Sequence, residues 1–361
     1  MNVLPDVPGV LSARDLTATV DAIAGVQLAD GNIPWTPGAH TDPWNLVEAA
    51  MALDLGGRHD EARAAYEWLA ARQRPDGGWH AYYLGDDVED PTLDTNITCY
   101  VATGAWHHYL STDDLPHLRR QWLAIEAAID FALGFQRETG EIAWRGDDPD
   151  DGSLLTGCSS IHLSLKCAIA IGEQLGHERP DWELSLGALA TAIAHRPGVF
   201  LDKQRWAMDW YYPILGGVLR GDPALARVAD GASRFLVDGR GVRCVSDRPW
   251  ITAAETCEFV MALDAIGHDT QARALFASVQ FLRAESGGYW TGANFEDERF
   301  DRDGERYPEE QPTWNSAAVV LAAMALCGEG PRAGLFRGEH LPEGLTAAEL
   351  LAAGVEIERE R

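Results

Sequence analysis

Acidic side chains recur at one kind of place along this chain, at or just before the start of segments that are otherwise small and apolar. Asp42 precedes Pro43 in HTDPWN, Asp94 lies in TLDTN, Asp209 in AMDWYYP, and Glu255 and Glu258 in ITAAETCEF. Two carboxyls facing one another can cleave a glycosidic bond. One protonates the leaving oxygen; the other activates water from roughly 6.5–9.5 Å away or attacks directly from roughly 5–5.5 Å. Glu255 and Glu258 stand on a stretch that otherwise reads Cys, Phe, Val, Met, Ala and Leu. Burial there pushes a carboxyl pKa upward, as a general acid at neutral pH requires. Each acid also has a structural reading. Asp before Pro at the first helical position is a common helix start, and Thr252-x-x-Glu255 matches a capping box. We take Asp42 and Glu255 as the catalytic pair, with Asp94, Asp209 and Glu258 in support.

Aromatic residues accompany these acids. Trp35, His40 and Trp44 flank Asp42, Trp210 and Tyr211 follow Asp209, and Trp314-Asn315 occupies the matching slot of the last apolar segment. The pattern comes from an internal repeat. Six times an amphipathic helical stretch runs into a glycine turn, at Gly31, Gly78, Gly140, Gly198, Gly241 and Gly288. An aromatic-rich loop and a helix apolar nearly all round come next. A helix apolar on every side is a buried one, and self-similarity recurring every roughly 43 to 62 residues marks a repeat architecture. Six buried helices alternating with six half-exposed ones imply an all-α fold, an (α/α)6 toroid with inner and outer rings. We expect one domain over 1–361, its core at roughly 12–330, and residues 331–361 packed outside the ring. Trp35, Trp79, Trp144, Trp206, Trp250 and Trp290 would then line the mouth of a central cavity, although a Trp folded back on its own helix is the competing reading for each.

The segments FALGFQRETGEIAW and WLAARQRPDGGW resemble the Gln-Trp repeats of squalene-hopene cyclases and of prenyltransferase β-subunits. The ring as a whole is similar to that of six-hairpin glycoside hydrolases, and in overall character to the actinobacterial hydrolases of methylmannose polysaccharides. The cyclase resemblance implies an Asp-x-Asp-Asp acid motif, of which Thr92-Leu93-Asp94-Thr95 keeps only the central Asp. The prenyltransferase resemblance implies zinc on Asp-x-Cys and a distant His, and no Asp-x-Cys occurs. We therefore expect no metal and no cofactor.

Composition narrows the partners. Lys and Arg total 29 against 56 Asp and Glu, a formal charge of −27. Such a surface repels phosphate backbones and anionic headgroups, so neither nucleic acid nor membrane is an expected partner and a neutral carbohydrate is. The N-terminus lacks a signal peptide's basic and apolar regions. Scattered cysteines without a CxxC pair read as reduced thiols, and a cytoplasmic location is expected. No apolar run reaches the roughly 18 residues of a membrane span. RGDDPDDGS reads as a solvated loop, and NFEDERFDRDGERYPEEQP as a lid over one side of the cavity. The expected activity is inverting glycoside hydrolysis. A terpene-cyclase-like enzyme and a non-catalytic glycan-binding ring are the alternatives.

Overall fold

The computed structural model describes residues 4–295 and 305–354. Twelve helices form six antiparallel pairs. They are α1 (Ala13–Ala24) with α2 (Pro43–Leu55), α3 (His59–Ala70) with α4 (Thr95–Thr112), and α5 (Leu115–Leu133) with α6 (Leu155–Leu175). The second half adds α7 (Pro180–His195) with α8 (Ala207–Leu215), α9 (Gly221–Phe235) with α10 (Ala253–Asp264), and α11 (Asp269–Ser278) with α12 (Thr313–Cys327). Each even-numbered helix packs on the next even-numbered one, and α12 packs back on α2. The six therefore close an inner ring, and the odd-numbered helices lie outside it. Nearly every residue of α2, α10 and α12 is buried. By contrast α9 buries only Ala224, Val228, Gly231 and Phe235, one stripe at helical spacing.

Helix α6 is long and apolar enough to cross a membrane by length and composition alone, contrary to the reading that no segment is. Its most apolar window is 89% buried among other helices of the ring, so it serves here as a core helix.

The Gln-Trp pattern acts as a packing device. Gln73 Nε2 donates to Gly77 O at 2.9 Å and to Ala124 O of α5 at 2.8 Å. Gln27 and Gln136 make the same double bridge in their own repeats, each to its turn glycine and to the next outer helix. A glycine at five of the six turns is held in the left-handed region, while Gly198, read from sequence as the fourth, is not. At Gly140, φ is 100° and an added Cβ would stand 2.3 Å from Ala188 O of α7. In the second and sixth repeats the glycine in this role is Gly77 or Gly287, one residue before the Gly78 and Gly288 read from sequence. Gly287 abuts Ala18 of α1, so the device also joins the last repeat to the first.

Short antiparallel strands decorate the loop face: β1 (Tyr82–Leu84) with β2 (Asp87–Asp90), β3 (Leu236–Val237) with β4 (Gly241–Val242), and β5 (Trp250–Thr252), β6 (Gly292–Asn294) and β7 (Glu305–Arg306) in one sheet. The expected lid falls partly here, and its residues 296–304 lie outside the described residues. At the opposite face, residues 331–337 close the base of the ring instead of lying outside it. The turn Pro331–Gly334 packs on α12 and α4, Phe336 is buried, and Arg337 Nη1 meets Asp264 Oδ2 at 2.8 Å. Further along, Leu350 of α13 (Ala347–Ala352) packs on Gly187 of α7.

Candidate active site

All six inner helices begin on the loop face. Backbone hydrogen bonds tie their starts to the loop of the following repeat: Thr41 N to Tyr83 O (2.8 Å), Thr95 N to Trp144 O (3.1 Å), Ala207 N to Cys244 O (2.9 Å), Ala253 N to Thr291 O (3.0 Å) and Thr313 N to Trp35 O (2.9 Å). The last of these joins repeat six to repeat one. Helix starts and aromatic loops are thus fixed relative to each other around the whole mouth.

Inside the mouth lies a cavity of about 280 Å³ walled by Asp42, Asp94, Trp35, Trp44, Trp144 and Trp314. Asp42 is the N-cap of α2: Oδ1 accepts from Asn45 N at 2.8 Å and Oδ2 from the Asn45 side-chain amide. Both oxygens are oriented by one residue. Burial raises its pKa, opposed by these bonds. Asp94 caps α4 through Oδ1, which accepts from Ile97 N at 2.9 Å. Burial pushes it up to about 6 against that bond, and the Asp42 charge adds to the rise. So the capping reading is realised for both residues, and both carboxyls still face the cavity. Tyr82 joins the wall. His40 stacks on Tyr82 at 4.4 Å and on Trp35 at 6.0 Å, which places it on the rim.

Glu255 lies in the first turn of α10 with 6% of its surface open. The anticipated capping box is absent, for Thr252 makes no side-chain cap bond. Glu255 is not on the cavity wall itself. Its position follows from Glu258, one turn deeper on the same helix face. Glu258 accepts from the hydroxyls of Tyr212, at 2.7 Å, and Tyr211, and burial raises its pKa strongly. It borders a small second cavity on the axis, together with Glu48, Tyr100 and Phe336, and Tyr212 borders both cavities. Glu48 accepts from the Tyr100 hydroxyl and is pushed up to about 7 by burial. Sequence reasoning missed Glu48. The signal was available, because NLVEAAMAL places it on an apolar helix as Glu258 is placed on its own.

Several expected site residues lie elsewhere. Trp79 is fully buried and its Nε1 donates to Leu69 O at 2.9 Å, so it packs the repeat and does not reach the mouth. Trp210 is buried between Phe235 and Phe259, with Nε1 on Arg227 O at 2.6 Å, and Tyr211 is buried with its hydroxyl taken by Glu258. Neither lines the cavity. Asp209 borders a separate pocket with Arg227, where burial pushes it up to about 6. Trp206 is 42% exposed outside the cavity. Trp250 donates from Nε1 to Tyr307 O, and Trp290 borders a neighbouring groove. Asn315 is buried beside the cavity residue Trp314, and neither end of its amide has a protein partner. Among the described residues no group of His, Cys, Asp and Glu side chains is arranged to hold a metal ion.

No family model matches the chain. It is 47% identical over 347 residues to the MMP endo-(1,4)-3-O-methyl-alpha-D-mannosidase of Mycolicibacterium hassiacum, across 96% of this chain and 95% of that one. Among solved structures, a glycosidase in complex with glucose superposes with a TM-score of 0.69 at 14% identity, covering 89% of this chain and 96% of that chain. The GH63 mannosylglycerate hydrolase of Thermus thermophilus gives 0.64 at 11% identity, over 85% and 98%. At those identities the two structures share the toroid with this chain, and the likeness speaks for the fold alone.

Proposed function

Since this chain belongs to the family of the MMP endo-(1,4)-3-O-methyl-alpha-D-mannosidase and is a glycoside hydrolase, we propose that it cleaves α-linked, 3-O-methylated mannose chains within the cavity at the ring mouth. One observation carries this reading: two carboxyls, Asp42 and Asp94, stand in a wall that also holds Trp35, Trp44, Trp144 and Trp314. Apolar aromatic faces suit the CH and methoxyl surfaces of a methylated sugar. A net charge of −27 accepts a neutral glycan and disfavours an anionic one.

The reactive pair is Asp42 and Glu255. The two Asn45 bonds favour the ionised form of Asp42 and fix its direction, which suits the carboxylate that activates water. Glu255 is not consumed by a cap, and Glu258 beneath it is already held by two tyrosines, so Glu255 can present a proton to the leaving oxygen. Carboxyls on α2 and α10 flank the intervening α12. A water-sized gap between them, and so inversion at the anomeric carbon, is the mechanism this pairing implies. A second reading has its own support: Asp94 is on the cavity wall and pushed up to about 6, as a proton donor would be.

Mass spectrometry of 3-O-methyl-α-(1→4)-mannooligosaccharides incubated with the protein tests the proposal. Shorter methylated fragments are expected. Intact oligosaccharides after prolonged incubation, with unmethylated mannosides or glucosides cleaved instead, would overturn it.

A further inference from the structure

Beside the cavity, on the same loop face, runs a larger groove of about 640 Å³. Its walls include Val26 at the end of α1, Ser286 and Trp290 from the sixth-repeat turn, and Glu309, Glu310 and Gln311 before α12. Cavity and groove share a partition. Trp35 and Trp314 face the cavity, while their chain neighbours Thr36, Pro37 and Thr313 face the groove. The partition is tied together by Trp35 Nε1 donating to Glu310 Oε1 at 3.1 Å, and by Thr313 donating from N to Trp35 O at 2.9 Å and from Oγ1 to Pro34 O at 3.0 Å.

We infer that this groove is a second glycan subsite, holding the sugar units of one neutral chain that extend beyond the central cavity over Trp35. The inference rests on the cavity being the place of cleavage. Two physical points argue for this occupant. At about 280 Å³ the cavity falls just under the range of pockets that enclose a drug-sized ligand, about 300–1,000 Å³. It accommodates only a short stretch of a polymer, and the rest of the chain must leave across the loop face. Leaving toward the sixth repeat, it meets a half-buried indole, Trp290, flanked by side-chain oxygens and an amide, the pairing of apolar face and polar rim that a pyranose ring fits. Glu309 and Glu310 also disfavour phosphate or carboxylate ligands there.

Trp290 therefore belongs to the recognition of long substrates, and the chemistry at Asp42 proceeds without it. The test is kcat/KM measured on 3-O-methyl-α-(1→4)-mannooligosaccharides of graded length for the native protein, Trp290→Ala and Val26→Trp. The second variant narrows the groove from its other wall without deleting a packed ring, and melting temperatures check that both are folded. The native protein should gain kcat/KM with length. Both variants should keep the native rate on the shortest cleavable chains. On long chains they should lose about tenfold, mainly through KM, the effect of removing one well-placed aromatic contact. Undiminished length dependence in the two folded variants would overturn the groove and leave the cleavage site standing. Cleavage of no mannoside by the native protein would remove the cavity reading on which the groove rests.

Discussion

Asp42 and Asp94 hold equivalent places in adjacent repeats, yet their hydrogen bonding differs. Asn45 occupies both oxygens of Asp42, whereas Asp94 spends only Oδ1 on Ile97. The difference leads to a pH test. Asp94 binds its proton more tightly folded (about 6) than unfolded (3.8). Between those values the native state holds more protons than the unfolded one, so stability falls as pH rises through the window. The cost is absent below the lower value and complete above the upper one. Asp94→Asn keeps a good N-cap and removes the titration. Its melting temperature relative to the native protein should rise between pH 4 and pH 7, read by calorimetry, and an offset constant across that range would refute the assigned burial. At this scale legibility was uneven. Trp79 and Trp144 follow the same kind of turn, but Trp79 folds back onto Leu69 while Trp144 reaches the cavity. That choice depends on the packing of a loop on its neighbours, which a repeat pattern does not encode.

The repeating element is an outer helix, a glycine turn and an inner helix, and its turn is the most constrained part. Gly140 has both the left-handed backbone and a carbonyl against the missing Cβ, while Gly176 has the left-handed backbone (φ 80°) with open space around it. Gly176→Ala incurs only the conformational strain, about 1 kcal/mol, and Gly140→Ala adds a clash with backbone that cannot move alone. Urea titration should show the midpoint falling distinctly further for Gly140→Ala than for Gly176→Ala; equal shifts would mean that the turn does not tie α7 to the third repeat. Helix pairing was legible because each inner helix is apolar on all sides. The short strands of the loop face were not, since β3, β4 and β7 are only two residues long and carry no alternation to read. The closing of the base by residues 331–337 was missed for a similar reason: nothing in a polar segment shows that Phe336 will fill the end of a ring.

The whole molecule matters because the helices that carry the proposed pair are linked only by closure of the ring. Asp42 belongs to the first repeat and Glu255 to the fifth, and their helices α2 and α10 are linked through α12, which packs on both. The sequence could nominate these acids through their place at inner-helix starts. It could not say which of them share a cavity, because that depends on the height and tilt of each helix in the ring. The most direct test measures kcat on a 3-O-methylated mannooligosaccharide for Asp42→Asn, Glu255→Gln and the double variant, with melting temperatures alongside. If the two carboxyls act as one unit, each single variant should fall by about 10²–10⁴-fold with its fold intact, and the double variant should fall little further than the worse single one. A Glu255→Gln protein within tenfold of the native rate, while Asp94→Asn is inactive, would contradict the pairing and move the proton donor to Asp94.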